Sequence, residues 1–195
     1  MTNEHEAFWA GEFGDAYLER NQVRWQDRIP FWQRIHALTR AETALELGCN
    51  AGWNMLALRA ACPDIKMLGL DVNEAAVQAA LKADLIALRG PATEPGQLWK
   101  DGAFDLVFTV GVLIHIPPQE LQELMQSNIT ASRRYVLAVE YEADQETELA
   151  YRGHTGRLWK RPYGEIYEQM GMRLVAAGDP GPAFDRCHYW LMRKP

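Results

Sequence analysis

Cysteine is scarce in this 195-residue chain. Its three cysteines, Cys49, Cys62 and Cys187, are scattered and odd in number, without C-x-x-C spacing. That indicates neither a disulfide framework nor a zinc site, so no metal is expected. Long apolar runs are missing too. Nothing approaches the roughly 20 residues that span a bilayer, so no membrane partner is expected. The first residues are acidic and polar rather than leader-like, which makes a reducing cytoplasm the expected compartment. Basic residues are in deficit: the net charge of −6 argues against sustained contact with a nucleic-acid backbone and favours a small-molecule partner. Repeats, low-complexity tracts and linkers are absent as well. Residues 1–195 therefore read as a single domain able to bury one core.

Against these absences stands one dense segment, Leu45-Glu46-Leu47-Gly48-Cys49-Asn50-Ala51-Gly52-Trp53-Asn54, followed by Gly69-Leu70-Asp71-Val72-Asn73. It reads as a buried strand, a glycine turn, a helix start, and a second strand ending on a carboxylate, which is a nucleoside-binding βαβ unit. Gly48 and Gly52 allow a tight bend and close approach to a ligand. Asp71 is placed to accept from two ribose hydroxyls. A dinucleotide site wants G-x-G-x-x-G with pyrophosphate at the helix N-terminus. Here Asn50 and Trp53 or Asn54 occupy the second and third positions, so pyrophosphate is poorly provided for.

Elsewhere the pattern alternates strand and helix. Pro30 opens a helix with Phe31, Ile35 and Leu38 on one face. Strands are predicted at Ala44–Leu47, Lys66–Val72, Leu85–Leu88, Phe104–Thr109 and Tyr135–Val139, with a terminal pair at Arg173–Ala177 and Cys187–Met192. Helices are predicted at Trp53–Ala61, after the cap residue Asn73, after Pro117-Pro118, and over Arg161–Met170. This is a doubly wound α/β sheet, whose ligands bind beyond the carboxyl ends of the strands.

The acid two residues before the first glycine, the turn, and the second strand-end acid together resemble class I S-adenosylmethionine (SAM) methyltransferases. The resemblance implies a mostly parallel seven-stranded sheet with the last strand antiparallel, and SAM as cofactor. It implies that Glu46 holds the methionine amino group, directly or through water, and that Asp71 holds the ribose. The cofactor-binding set expected is Tyr17, Glu46, Gly48, Asn50, Gly52, Trp53, Asp71, Val72, Ala92, Thr93 and Val110. In the loop after strand three, backbone groups of Ala92 or Thr93 would read adenine, with Glu94 beside them or simply solvated. Trp99 either shields the ring or packs on the surface.

After strand four comes Val110-Gly111-Val112-Leu113-Ile114-His115-Ile116-Pro117-Pro118, without the Asp/Asn-Pro-Pro-Tyr tetrad typical of nucleobase and protein-amide methylation. His115 offers a neutral imidazole as general base for an alcohol acceptor, or bonds a backbone carbonyl that fixes the loop. Glu140 and Glu142 are rival bases, caps or solvated charges. Near the N-terminus, Phe8-Trp9-Ala10-Gly11-Glu12-Phe13-Gly14-Asp15-Ala16-Tyr17-Leu18-Glu19-Arg20-Asn21 reads as a lid within residues 1–40. Tyr17 would cover the methionine end, and Arg20 or Asn21 would meet its carboxylate or the acceptor. An acceptor insertion is expected around residues 150–164, Tyr151-Arg152-Gly153-His154-Thr155-Gly156-Arg157-Leu158-Trp159-Lys160-Arg161-Pro162-Tyr163-Gly164, the one locally basic stretch. Either it is a solvated loop, or its guanidinium groups hold a carboxylate or phosphate.

These segments, with Thr109–Ile116, resemble the pseudaminic acid biosynthesis-associated methyltransferases across nearly the whole chain, although Pro162-Tyr163 stands where an Asp-Phe pair is commoner. The resemblance implies O-methylation of a small anionic acceptor such as a nonulosonic acid or nucleotide sugar, in surface-glycan biosynthesis. Another metabolite, a phosphonate or carboxylate, or a non-catalytic SAM-binding role, are the alternatives. The acceptor-binding residues expected are Arg20, Asn21, Glu140, Arg152, His154, Lys160 and Arg161.

Overall fold

Alternation of side chains along the central strands sets the layers. A computed structural model describes residues 4–92 and 99–195. Strands β1 (Thr43–Leu47), β2 (Lys66–Asp71), β3 (Ala87–Arg89), β4 (Phe104–Val110) and β5 (Ser132–Glu140) are joined through helices. Along β4 and β5, Leu106, Phe108, Tyr135 and Leu137 face one side of the sheet, and Val107, Val136 and Ala138 face the other, as a pleat of period two requires. The first face is covered by α3 (Ile29–Thr39) and α4 (Trp53–Ala61), with α5 (Glu74–Lys82) over β2 and β3. The second is covered by α6 (Pro118–Ala131) and α7 (Tyr163–Gln169).

The sheet has seven strands in the order β3-β2-β1-β4-β5-β9-β8, where β8 is Arg173–Gly178 and β9 is His188–Arg193. Only β9 runs against the rest, pairing antiparallel with both β5 and β8. The predicted doubly wound sheet with an antiparallel last strand is therefore observed. Strand order reverses between β1 and β4, which opens a crevice at their carboxyl ends.

Several boundaries differ from the pattern-based expectation, each for a packing reason. In α3 the buried stripe is Phe31, Trp32, Ile35 and Thr39, while Leu38 is 43% exposed. Trp32 fills the space above Phe108, with ring centroids 4.7 Å apart, and a ring of that size sets the helix rotation. Leu85 is not in a strand. It plugs the back of the β1–α4 turn, and β3 begins at Ala87. The last helix starts at Tyr163 rather than Arg161, whose side chain is drawn into the interior. The insertion carries an unforeseen two-stranded ribbon, β6 (Thr147–Glu148) with β7 (Trp159–Lys160). Ahead of the sheet, α1 (Glu4–Ala10) and α2 (Glu12–Arg20) meet at Gly11. No described helix is long and apolar enough to cross a membrane.

Candidate cofactor and acceptor cleft

The β1–α4 turn is built from positive-φ residues: Gly48 at 71°, Asn50 at 49° and Gly52 at 79°. The glycines at its ends are required by protein rather than by ligand. A Cβ on Gly48 would strike the Val112 side chain, and one on Gly52 would strike Leu85. Backbone N–H groups of Gly48 and Cys49 donate to the Leu70 carbonyl at 2.7 and 3.0 Å, tying the turn to the end of β2. Asp71 then accepts from the N–H of Asn50 at 2.7 Å on one oxygen and of Asn73 at 2.9 Å on the other. Each carboxylate oxygen has a further lone pair to offer. Burial raises the Asp71 pKa, and the same backbone N–H bonds draw it back down.

Glu46 lies one strand over, buried, with Oε1 accepting from Asn54 Nδ2 at 2.7 Å and Oε2 without a hydrogen-bond partner. Burial pushes its pKa up to about 8, offset in part by Asn54 and the nearby Arg28. The Asn54 amide is itself oriented by Arg28, whose Nη1 donates to Asn54 Oδ1 at 2.7 Å. Arg28 and Asn54 line the cleft, and Glu46 stands behind them. A buried carboxyl with an orphaned oxygen, a second carboxylate at the end of β2 and a glycine turn form a donor–acceptor set that could hold S-adenosylmethionine, Asp71 towards the ribose hydroxyls and Asn54, backed by Glu46, towards the ammonium.

The N-terminal helices close over this floor. Trp9 and Tyr17 meet edge to face at 5.5 Å, and both line the cleft. The clasp is Asn73: its Oδ1 caps α5 at Ala76, while Nδ2 donates to the Trp9 carbonyl and to Asp15 Oδ1 at 3.3 and 2.8 Å. Gly14 is what permits the contact, because a Cβ there would strike the Trp9 carbonyl. Burial raises the Tyr17 phenol to about 12.

On the opposite wall, β4 runs into the loop Gly111–Ile116. Glu140, buried at the end of β5, holds that loop by accepting from the N–H groups of Val112 and Ile114 at 3.2 and 3.3 Å. His115 lines the cleft and contacts the Arg157 carbonyl through Nδ1 at 2.6 Å. A carbonyl only accepts, so Nδ1 carries the proton and Nε2 presents a lone pair. Burial lowers the His115 pKa to about 4, with the neighbouring His5 adding to the effect. The ring is flanked by Trp9 at 4.6 Å and Tyr151 at 4.9 Å.

The cleft holds about 560 Å³. Of the expected cofactor set it brings together Tyr17, Gly48, Asn50, Trp53, Asp71, Val72, Ala92 and Val110. Glu46 and Gly52 sit behind the lining, and Thr93, with Glu94, lies outside the described residues. Of the expected acceptor set, Asn21 and Arg152 line it beside His115. Arg20 stacks instead over Phe13 and Tyr17, at 4.7 and 5.3 Å. His154 packs edge-on to Phe8 and Phe13. Lys160 borders a separate recess with Tyr141, Leu149, Asp185 and Arg186. Arg161 is buried, donating to Glu146 at 2.7 Å and to the Leu113 carbonyl at 3.0 Å. Pattern reasoning missed Arg28, Asn54 and His5, all of which line the cleft. Arg28 and His5 lie outside any motif, and only the position of Asn54, just past the glycine turn, was a signal.

Comparison with known proteins agrees with this geometry. Residues 44–133 match the family model described as a methyltransferase domain. Over that stretch, just under half of its length, the chain is similar to a methyltransferase domain. No curated protein matches it in sequence. Among solved structures, it is similar to Burkholderia thailandensis 1,6-didemethyltoxoflavin-N1-methyltransferase, bound to 1,6-didemethyltoxoflavin and S-adenosylhomocysteine. That match has 17% identity and a TM-score of 0.77, over 100% of this chain and 90% of that one. Magnesium protoporphyrin IX methyltransferase from Synechocystis PCC 6803, with bound SAM, matches at 13% identity and TM-score 0.71, over 99% of this chain and 98% of that one. Mitomycin 7-O-methyltransferase matches at 15% and 0.72, over 99% of this chain and 61% of that one. At these identities the likeness is one of fold.

Proposed function

We propose that this methyltransferase moves a methyl group from SAM to an oxygen of a small anionic acceptor, of the nonulosonic-acid or nucleotide-sugar class. The observation that carries the reading is one cleft lined both by Asp71, at the end of β2, and by His115, whose tautomer is set by a backbone carbonyl. The cofactor supplies an electrophilic methyl on a sulfonium. The protein's part is alignment, exclusion of water, and acceptance of the hydroxyl proton at His115 Nε2. A base this weak suits a reaction in which the proton leaves late, after the oxygen has begun to bond to carbon. Arg152, on the same wall, supports an anionic acceptor, since its guanidinium matches carboxylate or phosphate. The net charge of −6 supports a small acceptor over nucleic acid. Three free thiols, one of them buried, suit a cytoplasmic setting. The likeness to pseudaminic acid-associated methyltransferases points to surface-glycan biosynthesis. One domain suffices for this work, with residues 1–40 as lid and the 150–164 insertion facing the acceptor.

A second reading is favoured by the rings of Trp9 and Tyr151 on either side of His115, which suit a planar acceptor. Incubation with SAM and a panel of sialic-acid-like sugars, nucleotide sugars and planar heterocycles, read by mass spectrometry, separates the two. The cofactor assignment is tested by Asp71→Ala. Calorimetry should show S-adenosylhomocysteine affinity lost by at least about tenfold. Unchanged affinity refutes the assignment.

A further inference from the structure

Arg28 closes the 3₁₀ turn Trp25–Arg28 that leads into α3, and its side chain reaches the cleft beside Asn54 and Gly48. Two of its donors are committed. Nη1 bonds Asn54 Oδ1 at 2.7 Å, and Nε bonds the Ala183 carbonyl at 3.2 Å. The guanidinium carbon Cζ lies 4.6 Å from the Phe184 ring centroid. These contacts fix the group without neutralising it. Among the described residues no carboxylate is ion-paired with Arg28. The main opposing charge is Glu46, kept behind the Asn54 amide and favoured in its neutral form by burial. A half-buried guanidinium held in one orientation, with donors still facing an open cleft and no anion of its own, is a site for a ligand carboxylate. Position identifies which one. Asp71, at the end of β2 in the sugar's expected place, is bonded to Asn50 of the glycine turn. Asn54 follows that turn in the first turn of α4, and Arg28 is bonded to Asn54, so all of them line one cleft in that order away from Asp71.

We infer that Arg28 receives the α-carboxylate of the cofactor's amino-acid end, while Asn54, backed by Glu46, meets its ammonium. This rests on the SAM reading above, and it moves to Arg28 the role that sequence pattern assigned to Arg20 or Asn21. It also implies that the cofactor tail tethers the turn Pro182–Phe184 to the cleft, because Arg28 contacts both.

The test compares two nucleosides by calorimetry: S-adenosylhomocysteine, and 5′-methylthioadenosine, which keeps the nucleoside and thioether but lacks the amino-acid carboxylate and ammonium. Arg28→Met should weaken the first roughly 10- to 100-fold and leave the second at its wild-type affinity. The retained affinity also reports an intact fold. Arg28→Lys, which keeps the charge and most of the stem, should lose a smaller part of the preference for S-adenosylhomocysteine. Equal losses for both nucleosides would make Arg28 a structural residue and overturn the inference, as would unchanged S-adenosylhomocysteine affinity. If only acceptor binding weakened, the carboxylate would be the acceptor's and the inference would equally fail. Should the wild-type protein bind neither nucleoside, the SAM reading itself falls, an outcome separable from the others because it needs no variant.

Discussion

At His115 one hydrogen bond settles two matters at once. Donation from Nδ1 to the Arg157 carbonyl fixes the tautomer, and the enclosure by Trp9, Tyr151 and His5 keeps the imidazole neutral. The ordinary histidine value is 6.5, and here it falls to about 4. The deprotonated form therefore persists through weakly acidic solution. If His115 is the base, the acid limb of the kcat/KM profile should lie near pH 4 rather than near 6.5. His115→Phe keeps a ring between Trp9 and Tyr151 but removes the lone pair. It should lower kcat by roughly 10²-fold or more while S-adenosylhomocysteine affinity is unchanged. Equal turnover would leave His115 as a loop-fixing residue only. At this scale the sequence was legible where a residue's role follows from its place at a strand end. Asp71 is an example, since β2 must stop there and its carboxylate must face the crevice. It was not legible for Arg28, because the residues that orient it, Asn54 and Ala183, are 26 and 155 positions away.

Elements act here through the contacts at their ends. Asn73 caps α5, supports Asp71 through its backbone N–H, and clasps α1 and α2 through its amide. Asn73→Ala should cost about 1 kcal/mol through the lost cap alone. It should also raise hydrogen exchange across Glu4–Arg20 relative to the sheet, because α1 and α2 would lose the amide contacts from the α5 cap. Wild-type exchange rates in that segment would show that aromatic packing and the Arg157–Glu4 pair hold it without Asn73. The basic insertion teaches the converse. Its charges were plain in the sequence, yet Arg161 ends in the interior against Glu146 and Leu113, and Lys160 borders another recess. Which face of an irregular loop turns inward depends on the ribbon β6–β7, and a two-residue strand leaves no periodic trace.

For the whole molecule, buried ionisable groups shape the dependence of stability on pH. Glu46 and Glu140, ordinarily near 4.5, are raised by burial to about 8 and 7, and Asp71 is raised as well. Folded, these carboxyls hold protons that the unfolded chain has released. Stability is therefore lost as pH climbs from about 4.5 through the folded values. His5 and His115, both lowered to about 4, act in the opposite sense. Their contribution is complete above 6.5 and disappears as pH falls towards 4. Where these ranges overlap, from about 4.5 to 6.5, the slopes oppose each other, and just above 6.5 the carboxyl slope remains. In the ligand-free protein, unfolding free energy from urea titrations should drop by at least about 1 kcal/mol between pH 6.5 and 8.5. Glu46→Gln, which keeps an acceptor for Asn54, should flatten that decline. A flat wild-type profile would mean that Glu46 is ionised in the fold.

Local pattern by itself determined the alternation of strands and helices, the glycine turn and the two acids at strand ends, since period-two and helical spacing register burial residue by residue. It also determined that His115 would lie beside the crevice, because β4 must end there. Tertiary structure alone decided which charges face the cleft and which are spent within the protein. It sent Glu140 to backbone N–H groups and Arg161 to Glu146, and it left Arg28 without an ion-paired carboxylate among the described residues. The physical reason is that a charge's fate depends on its solvation and partners, and those come from chain segments that no local window contains.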